Sequence, residues 1–194
     1  MLHDRLPTLV SAFNNSVQRS LDDRPLLATK LLELYGIGQA ESSENLQKIL
    51  EFAHDVGFYA AVISIAEAWP AQVYMYHLNE INPWKGRWEN TSTHILDVAL
   101  LFLNYRQVLP EQQQVTGDQF CEDLLKFVSG REPFPAFQSG RGGAKIYGPG
   151  PDRTRFVSGT KSEDYGRRSQ IFELSSEVGL DVLSTVWDNF MAGH

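Results

Sequence analysis

The chain has 194 residues, enough for one domain or one and a half. Hydrophobic residues make up 42% and charged residues 21%, the balance of a globular protein with a real core, and the formal net charge of -7 argues against a nucleic-acid partner. The lone Cys121 excludes a disulfide or a cysteine-based zinc cluster within these residues.

The opening stretch, Met1 to Asp23, does not read as a signal peptide, because His3, Asp4 and Arg5 interrupt it and no apolar core follows. No run approaches eighteen uninterrupted apolar residues, so no membrane partner is expected. Two glycosylation sequons, Asn14-Asn15-Ser16 and Asn90-Thr91-Ser92, leave the compartment open.

Residues 1–70 read as helical. Asp22 and Asp23 offer a cap and Pro25 a first-turn proline for a helix over Leu26–Tyr35, which Gly36 stops. Ser43 caps a second helix with Leu46, Ile49, Leu50 and Ala53 on one face, and an apolar segment from Phe58 to Trp69 ends at Pro70. Val73–Leu78 then mixes β-branched and aromatic residues on both faces. It reads as a strand buried on both sides of a sheet, with a short core helix as the other reading.

Helices are expected at Ile95–Arg106 and at Gly117–Ser129, the latter capped by Thr116 and striped by Phe120, Leu124 and Phe127. Between Gly130 and Gly166 lie eight glycines and four prolines, which marks loop, with short strands at Ala144–Tyr147, Thr154–Ser158 and near Gln170–Leu174. An amphipathic helix carrying Leu183, Val186, Trp187 and Phe190 closes the chain. A strand buried on both faces needs neighbours on both edges, and residues 1–70 offer none. Self-association through an exposed sheet edge is therefore an expected property.

The chemistry centres on His94. It follows the strand and a turn-rich loop and stands at the mouth of an apolar helix, where its imidazole could work as a general base near neutrality. A histidine at a helix start is also commonly structural or exposed. Asp97, one helical turn on, is a supporting carboxylate or an ordinary solvated residue of the first turn. The nucleophile turn G-x-S-x-G occurs nowhere, and Ser92 and Ser158 are the first suspects should the chain alone prove active. His77 reads as a core or edge residue, while His3, His54 and His194 share no ligand spacing. No metal or cofactor is expected. Ser139 to Lys145 is glycine-rich but matches no phosphate-loop pattern, and the basic excess between Arg141 and Arg168 reads as solvated surface or salt bridges.

Several of these stretches resemble the type-B carboxylesterase (cholinesterase-like) family. There an aromatic strand and an N-P-x-x-G loop, here Asn82-Pro83-Trp84-Lys85-Gly86, precede H-x-x-D/E-x-x-x-x-F, here His94 to Phe102. Asp123–Ala136 looks like the family's helix with its Phe, Gly and Pro ending. Lys145-Ile146-Tyr147-Gly148, Phe156-Val157-Ser158 and Gly166-Arg167-Arg168 follow in the family's order. The resemblance implies an α/β-hydrolase fold that is incomplete here, an α/β class holding only C-terminal helices and the last sheet strands, mostly helical by content. Residues 1–70 would be a helical insertion and 71–194 the base-bearing strand, loop, helices and closing strands. His94 would be the general base of a Ser-His-Glu/Asp triad, with Asp97 in support and a carboxylic ester as substrate of the full-length protein. The nucleophile and orienting acid would lie outside this chain. A non-catalytic remnant of the same fold, acting as a binding protein, is the alternative.

Overall fold

The computed structural model describes residues 8–86, 88–93, 95–159 and 167–193. Helix dominates, with a small three-stranded mixed sheet, so the class is mixed α/β. The chain divides into two compact units, one holding the described residues of Met1–Ile65 and Glu163–His194, the other Ala66–Ser162.

The first unit is helical. α1 (Leu9–Ser20), α2 (Pro25–Tyr35) and α3 (Ser43–His54) pack with α7 (Arg167–Val178) and α8 (Leu180–Ala192). Phe13, fully buried, makes edge-to-face contacts with Phe52 at 5.2 Å and Phe190 at 5.5 Å, so three helices meet on one ring. Pro25 and Gly36 bound α2 as expected, Gly36 at φ +62° where a side chain would strain. The cap expected from Asp22 and Asp23 does not form, since Arg24 occupies that position with no side-chain bond. Ser42, not Ser43, caps α3 by accepting the Asn45 N–H at 3.1 Å. The buried face of α3 is Asn45, Ile49 and Phe52, which leaves Leu50 exposed.

α3 continues through a π-helical turn, Asp55–Ala60, into α4 (Ala61–Ala68). The resulting helix Ser43–Ala68 is long and apolar enough by length and composition to cross a membrane, with a mean hydropathy of 1.4 in its best window. Ile49, Phe52, Val56 and Ile63 on it are nonetheless buried core residues. Asp55 is wholly buried in the π turn. It accepts the Tyr35 hydroxyl at 3.1 Å and faces the Arg168 guanidinium at 3.9 Å.

The strand expected near Gln170–Leu174 is instead part of α7. Ile171, Leu174 and Val178 are buried together, the i, i+3, i+7 spacing of a helix face. A short Ile/Phe/Leu run does not separate the two periods by itself.

The second unit carries the sheet, in order β1 (Tyr76–Leu78), β2 (Ala144–Tyr147), β3 (Arg155–Val157). β1 and β2 run parallel, Tyr76 opposite Lys145, and β2 and β3 antiparallel. The expected strand Val73–Leu78 is regular only in its last three residues. The run before them stays attached, because the Val73 carbonyl accepts the Phe137 N–H at 2.8 Å and the Met75 carbonyl accepts the Lys145 N–H at 2.9 Å. Its burial on both faces is overturned, with Tyr76 45% exposed and only Met75 and His77, which share one face, buried. Strand β2 is the neighbour on one edge of β1. That partner comes from downstream in the chain, across the helical connection a parallel pair requires.

α5 (Leu96–Leu101) is shorter than the expected Ile95–Arg106, ending where Leu103 takes φ +55°. α6 (Glu111–Val128) starts after Pro110, six residues before the expected Gly117, so Thr116 lies inside it and bonds the Gln112 carbonyl. Leu96, Leu100, Leu109, Phe120 and Tyr147 form the core between α5, α6 and β2, with Leu78 against it.

Candidate functional site

The segment after β1 folds back on the strand end. The Asn82 N–H donates to the Thr91 carbonyl and the Asn90 N–H to the Asn82 carbonyl, both at 2.9 Å. Asn82 also accepts the Trp84 N–H on its side chain, the turn an Asn before proline favours. The Ser92 hydroxyl then donates to the Leu78 carbonyl at 3.2 Å, which pins the returning loop to the C-terminal end of β1. In open α/β sheets that end of a strand is where ligands and catalytic groups gather.

His94, the expected general base, lies outside the described residues. Asp97 lies within them, in the first turn of α5, and its Oδ2 accepts the Tyr76 hydroxyl at 3.4 Å. This contact joins α5 to β1 across 21 residues of sequence. Burial pushes the Tyr76 phenol up from its ordinary value, and the Asp97 charge and hydrogen bond add to the rise. Of the two serines singled out, Ser92 is engaged with Leu78 and Ser158 is exposed after β3. The glycine-rich Ser139–Lys145 stretch is a tight turn that runs into β2, and its Ser139 hydroxyl and Gly140 N–H both donate to the Glu67 carboxylate. Among the described residues no group of three histidine, cysteine or acidic side chains is placed to hold a metal ion.

Sequence reasoning missed Glu80. It is 1% exposed, just beyond the end of β1. Its Oε2 accepts the Gly150 N–H at 2.9 Å, and its Oε1 accepts Gln113 Nε2 at 3.1 Å and the Ile81 N–H at 3.2 Å. One carboxylate thereby ties the loop after β1, the helix α6 and the turn after β2. Gly148 is required here, because at φ +78° a Cβ would stand 2.7 Å from Glu80 Oε2 and 3.0 Å from its backbone. Only the tetrad Leu-Asn-Glu-Ile at a strand end could have hinted at this, and it names no partner.

No family model matches the chain, and neither a curated protein nor a solved structure matches it.

A cavity of about 190 Å³ lies beside this segment in the same unit. Tyr76 and Tyr147 stand on its sheet side and Phe120, Asp123 and Leu124 on its α6 side. The Tyr147 hydroxyl donates to Asp123 Oδ2 at 2.8 Å. Burial, then Asp123, drives that phenol far above its ordinary value.

Proposed function

We propose that this chain is part of a carboxylic ester hydrolase of the type-B carboxylesterase kind, supplying His94 as the general base of a Ser-His-Glu/Asp triad. The nucleophile and orienting acid come from outside these residues. The observation that carries the reading is the loop return, in which Ser92 is bonded to the strand end at Leu78 two residues before His94 in sequence. The parallel β1–β2 pair, linked through α5 and α6, is the kind of α/β unit on which such a base is delivered. Asp97, held by Tyr76, would steady the start of α5 just after the base. Asp97 is thus a positioning residue in this reading.

The alternative is a non-catalytic remnant of an α/β-hydrolase that binds another chain. It is favoured by one feature: β1 stands at the end of the sheet order, paired on one edge only among the described residues. Association through that edge is then the activity.

The test is to capture the native species that carries this sequence, weigh it intact, and treat it with a fluorophosphonate probe. A labelled species well above 21.9 kDa, whose hydrolysis of a short-chain aryl ester is lost in His94→Gln, supports the esterase. An unlabelled species of 21.9 kDa sinks the catalytic reading and leaves the binding one.

A further inference from the structure

We propose that the cavity between β1, α6 and the turn after it is a binding site for a neutral aromatic ring bearing a hydrogen-bond donor, of the phenol or indole class. This stands independently of the ester-hydrolase reading.

Six rings line the cavity, in two triads. Tyr74 meets Phe127 at 5.9 Å and Phe134 at 5.8 Å, both edge-to-face. Tyr76, Phe120 and Tyr147 pack together at 4.7 to 6.2 Å. Rings held by other rings lose little freedom when a ligand arrives, and aromatic pairs gain beyond their buried area. A cavity of about 150 Å³ is enough for benzene, and this one measures about 190 Å³. The rim is open, since Phe127 is 53% and Tyr76 45% exposed. The regular spacing of Phe120, Leu124 and Phe127 along α6 serves this wall, which is why Phe127 does not join the buried core.

Charge and acceptor capacity fix the ligand class. Among the described residues Asp123 is the one charged side chain lining the cavity, and it is buried. Its Oδ2 accepts the Tyr147 hydroxyl at 2.8 Å and its Oδ1 accepts Lys126 Nζ at 3.1 Å. Lys126, shared with Glu122 at the same 3.1 Å, partly offsets its charge, and Lys145 lies over the Tyr147 ring at 5.8 Å, so a ligand need bring no positive charge. Two carboxylate oxygens offer about four acceptor sites, and the two bonds in place leave room for a ligand O–H or N–H. An anionic ligand would meet the Asp123 carboxylate at close range and be disfavoured by like-charge repulsion.

The experiment titrates the full chain with phenol, indole, cyclohexanol and benzoate, following binding by calorimetry and by aromatic NMR shifts. The expected result is saturable one-to-one binding of phenol and indole, with cyclohexanol and benzoate about tenfold weaker or more. Leu124→Trp, which fills the half-buried wall, should abolish binding with the circular dichroism unchanged. Phe127→Ala at the exposed rim should weaken it, and Asp123→Asn should narrow the gap between phenol and benzoate. Equal binding of phenol and cyclohexanol, no saturable binding, or binding untouched in both Leu124→Trp and Phe127→Ala would overturn the proposal.

Discussion

The Tyr147 hydroxyl donates to the Asp123 carboxylate at 2.8 Å, joining the last residue of β2 to the middle of α6 inside the core. Both residues are buried, and Tyr147 is completely so. Removing the donor leaves a buried carboxylate with Lys126 as its remaining side-chain partner, so Tyr147→Phe should destabilise the second unit by about 1.5–3 kcal/mol.

The same pair sets an alkaline limit. Burial, and then Asp123, raises the folded-state pKa of Tyr147. A group raised on folding stabilises fully below its unfolded value, about 10 for tyrosine, and that contribution is lost as pH climbs above it. Absorbance at the tyrosinate band should show one phenol ionising only as the second unit unfolds. In Tyr147→Phe that coincident step should vanish.

Glycine substitutions should separate by position. Gly148→Ala forces a Cβ against Glu80 at φ +78°, costing about 1–2 kcal/mol from the backbone alone, with the collision added. Gly57→Ala, in the exposed part of the π turn with nothing within 4 Å of the new methyl, should be neutral or stabilising by up to about 1 kcal/mol. Chemical denaturation of both variants checks the contrast. A Gly148→Ala protein as stable as the parent would remove Glu80 from its role as a tie.

How far the sequence spoke for itself depended on distance along the chain. Gly36 and Pro25 act within one turn, and their helix is where they place it. Ala144–Tyr147 is bounded closely by Gly143 and Gly148 and was legible as a strand. Gln170–Leu174 was not, because five residues fit either period and only burial of Val178 further on resolves it. The acid at position 80 looks like any loop glutamate until Gln113 and Gly150, 33 and 70 residues away, are brought to it. At the candidate site, Asp97 could be singled out from its spacing to His94. Its partner Tyr76, across the loop, could not.

Glu41 illustrates the same point and yields an acid prediction. From a distant loop it accepts the Val10 N–H at 2.9 Å, the Ser11 N–H at 2.8 Å and the Ser11 hydroxyl at 2.7 Å, capping α1, which has no side-chain cap of its own. Desolvation tends to raise its pKa, but the bonds from Ser11 and Val10 outweigh it and the net shift is downward. A depressed carboxylate stabilises above its unfolded value, about 4.3, and the effect fades as pH falls through the folded one. Glu41→Gln should therefore cost about 1 kcal/mol or less at neutral pH, given its exposure to solvent. The cost should disappear in strong acid, as read by thermal melts across pH.

The two sequons should behave differently if the protein is made through a secretory route. Asn14 is buried, its Nδ2 donating to the Gly38 carbonyl at 3.1 Å, and Ser16 is buried against Val186. Asn90 is exposed. Glycopeptide mapping of folded material should find sugar at Asn90 and none at Asn14, with any Asn14 glycan confined to aggregates.

The bond from the Ser16 hydroxyl to the Val186 carbonyl spans 170 residues, whereas the sheet unit is one uninterrupted stretch of chain. On the ribosome these make opposite demands. The stretch from Ala66 to Ser162 can settle as soon as it emerges, while Val10, Phe13 and Val17 must wait with their apolar sides uncovered until α8 is made. Within these residues the helix made first is thus among the last to be sheltered, and a chaperone that holds α1 during that interval would govern the yield of folded protein.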